Sequence, residues 1–178
     1  LQYIKEHKVL GVCHFPSFYE AMVTTQYLVE LEPDAVELVD RTMLELAAQI
    51  PQFKKKLKHF VKGKPGSLLL VEFSGDEIDS TKKKLHDLDE LMSAHGFPNS
   101  LVEAIDPVLQ EEIWDVRKSG LNIMMSMKGD GKPVSCIEDC AVELADLAEY
   151  TSRLNELFVK HGTTGTWYAH ASVGCLHV

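Results

Sequence analysis

Apolar and polar residues alternate along this chain in two rhythms, and the switching between them predicts its elements. Val9–Phe15 is a short continuous apolar run that reads as a strand. Ser17 and Glu20 then have capping-box spacing, opening a helix with Phe18, Met22, Thr25 and Val29 on one face that ends before Pro33. Ala35–Val39 has strand alternation, and a short helix from Asp40 is closed by Pro51. Gly66–Phe73, apolar and bounded by glycine, is the strongest strand signal. A helix from about Asp76 follows, carrying Ile78, Thr81, Leu85, Leu88 and Met92, with Gly96 as its C-cap.

The second half continues in the same way. Asp106-Pro107 is an N-cap and first helical position for a helix with Leu109, Ile113 and Val116 that stops at Gly120. Leu121–Met127, a Lys-Gly-Asp-Gly-Lys turn and Pro133–Ile137 predict a hairpin. A long helix from about Leu144 shows Leu147, Thr151, Leu154 and Phe158 as its stripe, with Lys160 and His161 at its C-terminal end. Thr166–Ala169 and Leu176–Val178 read as strands, the last without a partner in the sequence that remains. The order predicts an α+β sandwich of ferredoxin-like type, a largely antiparallel sheet with helices packed on one side, truncated at its C-terminal strand.

Bulk properties narrow this to one domain over residues 1–178. At 45% hydrophobic residues the chain buries one sizeable core and not two. Its 18 basic and 27 acidic residues give a net charge of −9, which repels phosphate backbones and argues against a nucleic-acid partner. The basic residues cluster once, in Phe53–Lys64, a run that reads as a solvated helix face. No apolar stretch is long enough to span a membrane, and no export signal opens the chain. Four cysteines (Cys13, Cys136, Cys140 and Cys175) form no disulfide framework, so a reducing, cytoplasmic setting is expected, or one peripheral to the inner face of a membrane. Cys136 and Cys140 read as small buried residues.

Three stretches carry chemistry. His170 and His177 flank a Ser-Val-Gly-Cys turn, and imidazoles so placed ligate a divalent ion such as zinc or serve as ordinary corner residues. Two histidines do not complete a metal site, since an open catalytic one normally has three protein ligands. Trp114 and Arg117, three apart on a helix, form either a carboxylate clamp or a surface cation–π pair. Glu138 and Asp139 sit at a strand-to-helix junction, where a cap is the simplest reading.

Taken together, Trp-x-x-Arg-Lys-x-Gly-Leu (114–121), Ile-Glu-Asp-x-Ala-Val (137–142) and Tyr-x-His-x6-His (168–177) resemble the C-terminal substrate domain of FAD-linked oxidases. That flavoprotein group includes the flavin-bearing component of glycolate oxidase, D-lactate dehydrogenase and D-2-hydroxyglutarate dehydrogenase. The wording is most similar to long members fused to an iron–sulfur oxidoreductase region. The resemblance implies a piece of a larger enzyme, inactive by itself, whose FAD is held mainly by a domain outside the chain and whose 4Fe-4S cluster would lie elsewhere. It implies oxidation of a small D-2-hydroxy acid to the 2-oxo acid, with hydride passing to the flavin; the electron acceptor is left open. His170 and His177 match the family's metal ligands, and Arg117 matches its substrate-carboxylate arginine. The third ligand, a Glu, and the catalytic His beside it would lie beyond Val178.

Departures from the pattern bear on substrate choice. The Gly-Asp-Gly-Asn turn of the family is here Ala171-Ser-Val-Gly-Cys175 in its region, which puts Cys175 at the position of a substrate-contacting Asn. Two other readings stand beside the flavoenzyme fragment: a non-catalytic metal- or metabolite-binding module, and a cysteine redox module around Cys13-His14 or Cys136 and Cys140. An unpaired terminal strand would favour pairing with a neighbouring chain in a homo-oligomer.

Overall fold

The computed structural model describes residues 5–128 and 132–178. Its elements run β1 (His7–Phe15), α1 (Phe18–Leu28), β2 (Ala35–Asp40), α2 (Arg41–Ala47), α3 (Pro51–Phe60), β3 (Ser67–Gly75) and α4 (Ile78–Ala94). They continue with β4 (Leu101–Ala104), α5 (Pro107–Lys118), α6 (Gly120–Met125), β5 (Cys140–Ala141), α7 (Leu147–Lys160), β6 (Tyr168–His170) and β7 (Cys175–His177). The seven strands form one sheet in the order β4-β1-β3-β2-β6-β7-β5, and every neighbouring pair is antiparallel. Its first four strands, in order β4-β1-β3-β2 with α1 and α4 as connections, are the ferredoxin-like unit; α2 and α3 are inserted between β2 and β3.

Both faces of this sheet are covered, where the sequence led to an expectation of one. β1 is the reason. From Val9 to Phe15 every residue is buried, so successive side chains enter two different cores. Val9, Cys13 and Phe15 join α1, α4 and α7 through Met22, Leu85, Leu88 and Leu147. Leu10 and Val12 join α2, α3, α5 and α6 through Met43, Leu57, Ile113, Val116 and Ile123. A continuous apolar strand has no polar face to leave in water, and a second layer of helices is the consequence.

The helix starts follow their caps. Ser17 accepts from the Glu20 amide at 3.2 Å, as in a capping box, while the Glu20 carboxylate takes the Ser17 hydroxyl at 2.7 Å rather than its backbone N–H. Pro51 opens α3 rather than only closing what precedes it, and α2 already ends at Ala47. In α3, Phe53, Leu57 and Phe60 are buried while Lys54, Lys55 and Lys58 face solvent, as expected of a solvated basic face.

Two expectations are corrected in the second half. Leu121–Met127 is not a strand: α6 spans Gly120–Met125 and buries Gly120, Ile123 and Met124, an i, i+3, i+4 set that a short apolar run conceals. The turn of the predicted hairpin falls partly on residues 129–131, outside the described residues. Pro133–Ile137 forms no regular strand, yet Cys136 and Ile137 donate to the Val178 carbonyl and Val178 donates back to Ile137 at 2.8 Å. The terminal strand is therefore not an unpartnered edge. β7 lies between β6 and β5, so the edge on which oligomer pairing was argued is occupied from within the chain.

The cysteines also differ from expectation. Cys136 is exposed and Cys140 half-buried, since neither sits in a helix that would turn it inward. Cys13 is buried, and burial pushes its thiol far above the usual range. Burial likewise lowers the His14 imidazole, whose Nε2 accepts from the Lys62 amide at 3.0 Å. Burial at Cys13 thus disfavours the thiolate that a redox pair with His14 would need. Among the described residues no helix is long and apolar enough to cross a membrane.

Candidate functional site

Strand register gathers the polar residues. Glu37 of β2 lies opposite His170 of β6, and His170 lies opposite Cys175 of β7; Tyr168 lies opposite His177. Because side chains alternate with period two, Glu37, Tyr168, His170, Cys175 and His177 share one face, the face that α5 covers. Arg117 reaches them from the last turn of α5. Its Nη2 donates to Glu37 Oε2 at 2.8 Å, and both side chains are 14% exposed. The other oxygen of Glu37 accepts from His170 Nδ1 at 2.7 Å. One carboxylate thus orients a guanidinium and an imidazole together.

Arg117 does pair with a carboxylate and does stack on a ring, but neither partner is the one its spacing suggested. The carboxylate is the chain's own Glu37, and the ring is Tyr168, whose centroid lies 5.3 Å from Arg117 Cζ. Trp114 turns instead to β3, donating its indole N–H to Glu72 Oε2 at 3.1 Å. Arg117 Nε and Tyr168 Oη are buried without a protein partner. Burial, reinforced by the Asp40 carboxylate, holds the Tyr168 phenol above its usual range against the opposing effect of Arg117. The ring has room because position 120 is glycine: a Cβ there would lie 2.5 Å from Tyr168 Cε1.

His177 has its own carboxylate. Its Nδ1 donates to Glu138 Oε2 at 2.8 Å, with Asp139 Oδ1 at 3.7 Å. That hydrogen bond, with one from Ser135, holds Glu138 below the usual carboxylate range. Glu138 and Asp139, expected as helix caps, instead bracket an imidazole. Cys175 Sγ lies 3.9 Å from His177 Nε2, and partial burial with the nearby Asp139 carboxylate raises its thiol. The His170 and His177 rings stand edge to face, 5.6 Å between centroids. The turn joining them requires Gly174, which has φ +64° and whose Cβ would meet the Val142 carbonyl oxygen at 1.9 Å.

Beside His177 opens a cavity of about 580 Å³ bounded by Leu121, Lys132, Glu138, Thr166 and Tyr168. Arg117 and His170 lie outside its lining. A divalent ion fits the two histidines chemically. Each gives its Nδ1 proton to a carboxylate, which leaves the Nε2 lone pair for a metal, the usual support of a ligating imidazole. In the sequence Glu37 had no assigned role, and Tyr168 and Gly120 stood only as motif positions; the signal for Glu37 was an acid flanked by apolar residues in a strand.

Fold and site together define a class: an α+β domain with its polar machinery on one face of an extended antiparallel sheet. Residues 4–178 match the family described as FAD linked oxidases, C-terminal domain, and the chain belongs to that family. Among curated relatives, D-2-hydroxyglutarate dehydrogenase of Pantoea ananatis is 27% identical over 98% of this chain and 18% of its own length. The enzyme of the same name from Escherichia coli is 29% identical over 92% of this chain and 17% of its own. A mitochondrial D-lactate dehydrogenase (cytochrome) of Arabidopsis thaliana is 26% identical over 99% of this chain and 30% of its own length. The chain therefore spans less than a third of each of these relatives. Among solved structures, an alkyldihydroxyacetonephosphate synthase superposes with a TM-score of 0.65 at 16% identity, covering 99% of this chain and 36% of that one, which shows the shared fold.

Proposed function

We propose that this chain is the substrate-side part of a flavin-dependent dehydrogenase that oxidises a D-2-hydroxy acid of the lactate, glycolate or 2-hydroxyglutarate type to the 2-oxo acid. The observation that supports the reading is the Arg117–Glu37–His170 chain of contacts beside His177, in a member of a family of FAD-linked oxidases. FAD, held mainly outside these residues, would accept the hydride leaving C2. The base that takes the hydroxyl proton is likewise assigned outside them, so substrate loses one proton and one hydride in all.

The chain's own residues bind and orient. Arg117 supplies the cation for the substrate carboxylate, and its unpartnered Nε–H is a donor that a ligand oxygen would satisfy. Glu37 fixes the guanidinium and holds His170 in one tautomer. Glu138 does the same for His177. His170 and His177 would hold a divalent ion through Nε2, and such an ion would polarise the substrate oxygens as a Lewis acid. Cys175 stands on the same face, where a thiol in place of an amide offers a weaker hydrogen bond and shifts substrate preference.

The test uses the full-length protein. Flavin absorbance is followed on anaerobic addition of D-lactate, glycolate and D-2-hydroxyglutarate, with the wild type, His177→Ala and Arg117→Lys compared. One acid is expected to bleach the flavin, His177→Ala to lose both metal and reduction, and Arg117→Lys to raise KM more than it lowers kcat. A well-folded protein that carries no flavin sinks the reading and favours a non-catalytic binding module.

A further inference from the structure

We infer that Cys175 and Asp139 ligate a zinc ion together with His177 and His170, so that this chain supplies four donors of its own to the metal, one of them a thiolate. Cys175 and Asp139 are donors that the family resemblance does not supply. The inference rests on the proposed metal role of His177 and deepens it, but does not depend on turnover.

Asp139, Cys175 and His177 each present a donor atom, and the three lie within 4.8 Å of one another. The thiol is the most specific of them. With Zn–S about 2.3 Å and Zn–N about 2.0 Å, a tetrahedral pair of donors sits about 3.5 Å apart. Cys175 Sγ and His177 Nε2 are separated by 3.9 Å, so a movement of a few tenths of an ångström completes the pair. Two features aim these donors. His177 gives its other nitrogen to Glu138 at 2.8 Å, leaving Nε2 toward the sulfur. Cys175 is held in register by β5 and β6, opposite Ala141 and His170.

His170 lies across the ladder from Cys175 and is the neighbouring donor on the same face. The chemistry suits zinc, which accepts mixed sulfur, nitrogen and oxygen ligation in a tetrahedron. As the Zn–S bond forms the thiol proton leaves to solvent, and nothing is oxidised or reduced. With His170 these donors fill the tetrahedron, and a substrate oxygen would enter as a fifth ligand.

The experiment is zinc-edge X-ray absorption on full-length, zinc-loaded protein, with bound zinc and flavin quantified in the same samples. Wild type is expected to show one sulfur scatterer at about 2.3 Å. Cys175→Ser should lose it while keeping its flavin content, and Cys136→Ser and Cys140→Ser should retain it. Glu138→Gln should weaken zinc binding about 10–100-fold, as loss of a supporting carboxylate does. A shell of nitrogen and oxygen only, or a protein that retains no zinc, overturns the inference. Bleaching of the flavin by a 2-hydroxy acid without sulfur at the zinc leaves the dehydrogenase reading intact; sulfur at the zinc without flavin does the reverse.

Discussion

Asp40 links the stability of this domain to pH through a single buried carboxyl. It is 5% exposed, accepts from the Met43 amide at 2.8 Å as the N-cap of α2, and accepts from the Trp167 amide at 3.2 Å. Burial outweighs those two hydrogen bonds and raises its pKa from 3.8 to about 6. A carboxyl raised in the folded state binds a proton more tightly there than in the unfolded chain. Its contribution is therefore full below pH about 4 and is lost as pH rises through about 6. That difference between the folded and unfolded carboxyl corresponds to about 3 kcal/mol. Asp40→Asn keeps an oxygen acceptor for the cap and removes the titration. Urea unfolding of the 178-residue chain between pH 4 and 8 would be measured for both proteins. The stability difference, wild type minus variant, is expected to fall by about 3 kcal/mol across that range. A difference that stays flat, or rises with pH, would falsify the burial argument, because every other titrating group is common to the two proteins.

Four further outcomes follow from the packing. Gly120→Ala drives a methyl into the Tyr168 ring and should cost about 1–3 kcal/mol in urea unfolding while disturbing the Arg117 stack. Leu88→Ala empties a fully buried site and should cost about 2–5 kcal/mol, yet Gly11→Ala points its new Cβ at Leu88 Cδ2, 2.5 Å away. The double variant should therefore be less destabilised than the sum of the two, and an additive cycle would contradict the contact. Gly174→Ala meets both a left-handed backbone and the Val142 carbonyl, and thermal unfolding should show a loss of several kcal/mol, among the larger effects of a single methyl. Glu37→Gln removes the charge that holds Arg117, and amide exchange at the end of α5 should quicken as the guanidinium loses its anchor.

Sequence revealed the fold where periodicity was strong and the site where motifs were dense. β1, β3, α1 and α4 were legible because a continuous apolar run or a four-residue stripe has few alternative packings. β4 was not, since Leu101–Ala104 buries only its two ends and offers too short a pattern. α6 was misread as a strand because a short, mostly apolar run satisfies either period until something packs on one side; here that is Tyr168 against Gly120. Among site residues, His170, His177 and Arg117 were legible as types. What they touch was not, because Glu37 is 80 residues from Arg117 and 133 from His170, and they meet only through the β2–β6 pairing and the packing of α5 on that face. The two-sided cover of the sheet was concealed for a related reason: helical stripes identify a face of the helix, never which side of the sheet receives it.

The shared face of β2, β6 and β7 has a consequence for how this protein tolerates change in length. Five polar side chains point the same way only because each sits an even number of steps from its neighbours in the ladder. One inserted or deleted residue within any of those strands inverts its orientation and sends imidazole or carboxylate into the apolar core on the other side. Two restore it. Viable length variants of these strands should therefore come in steps of two, whereas the loops around them are free to drift one residue at a time.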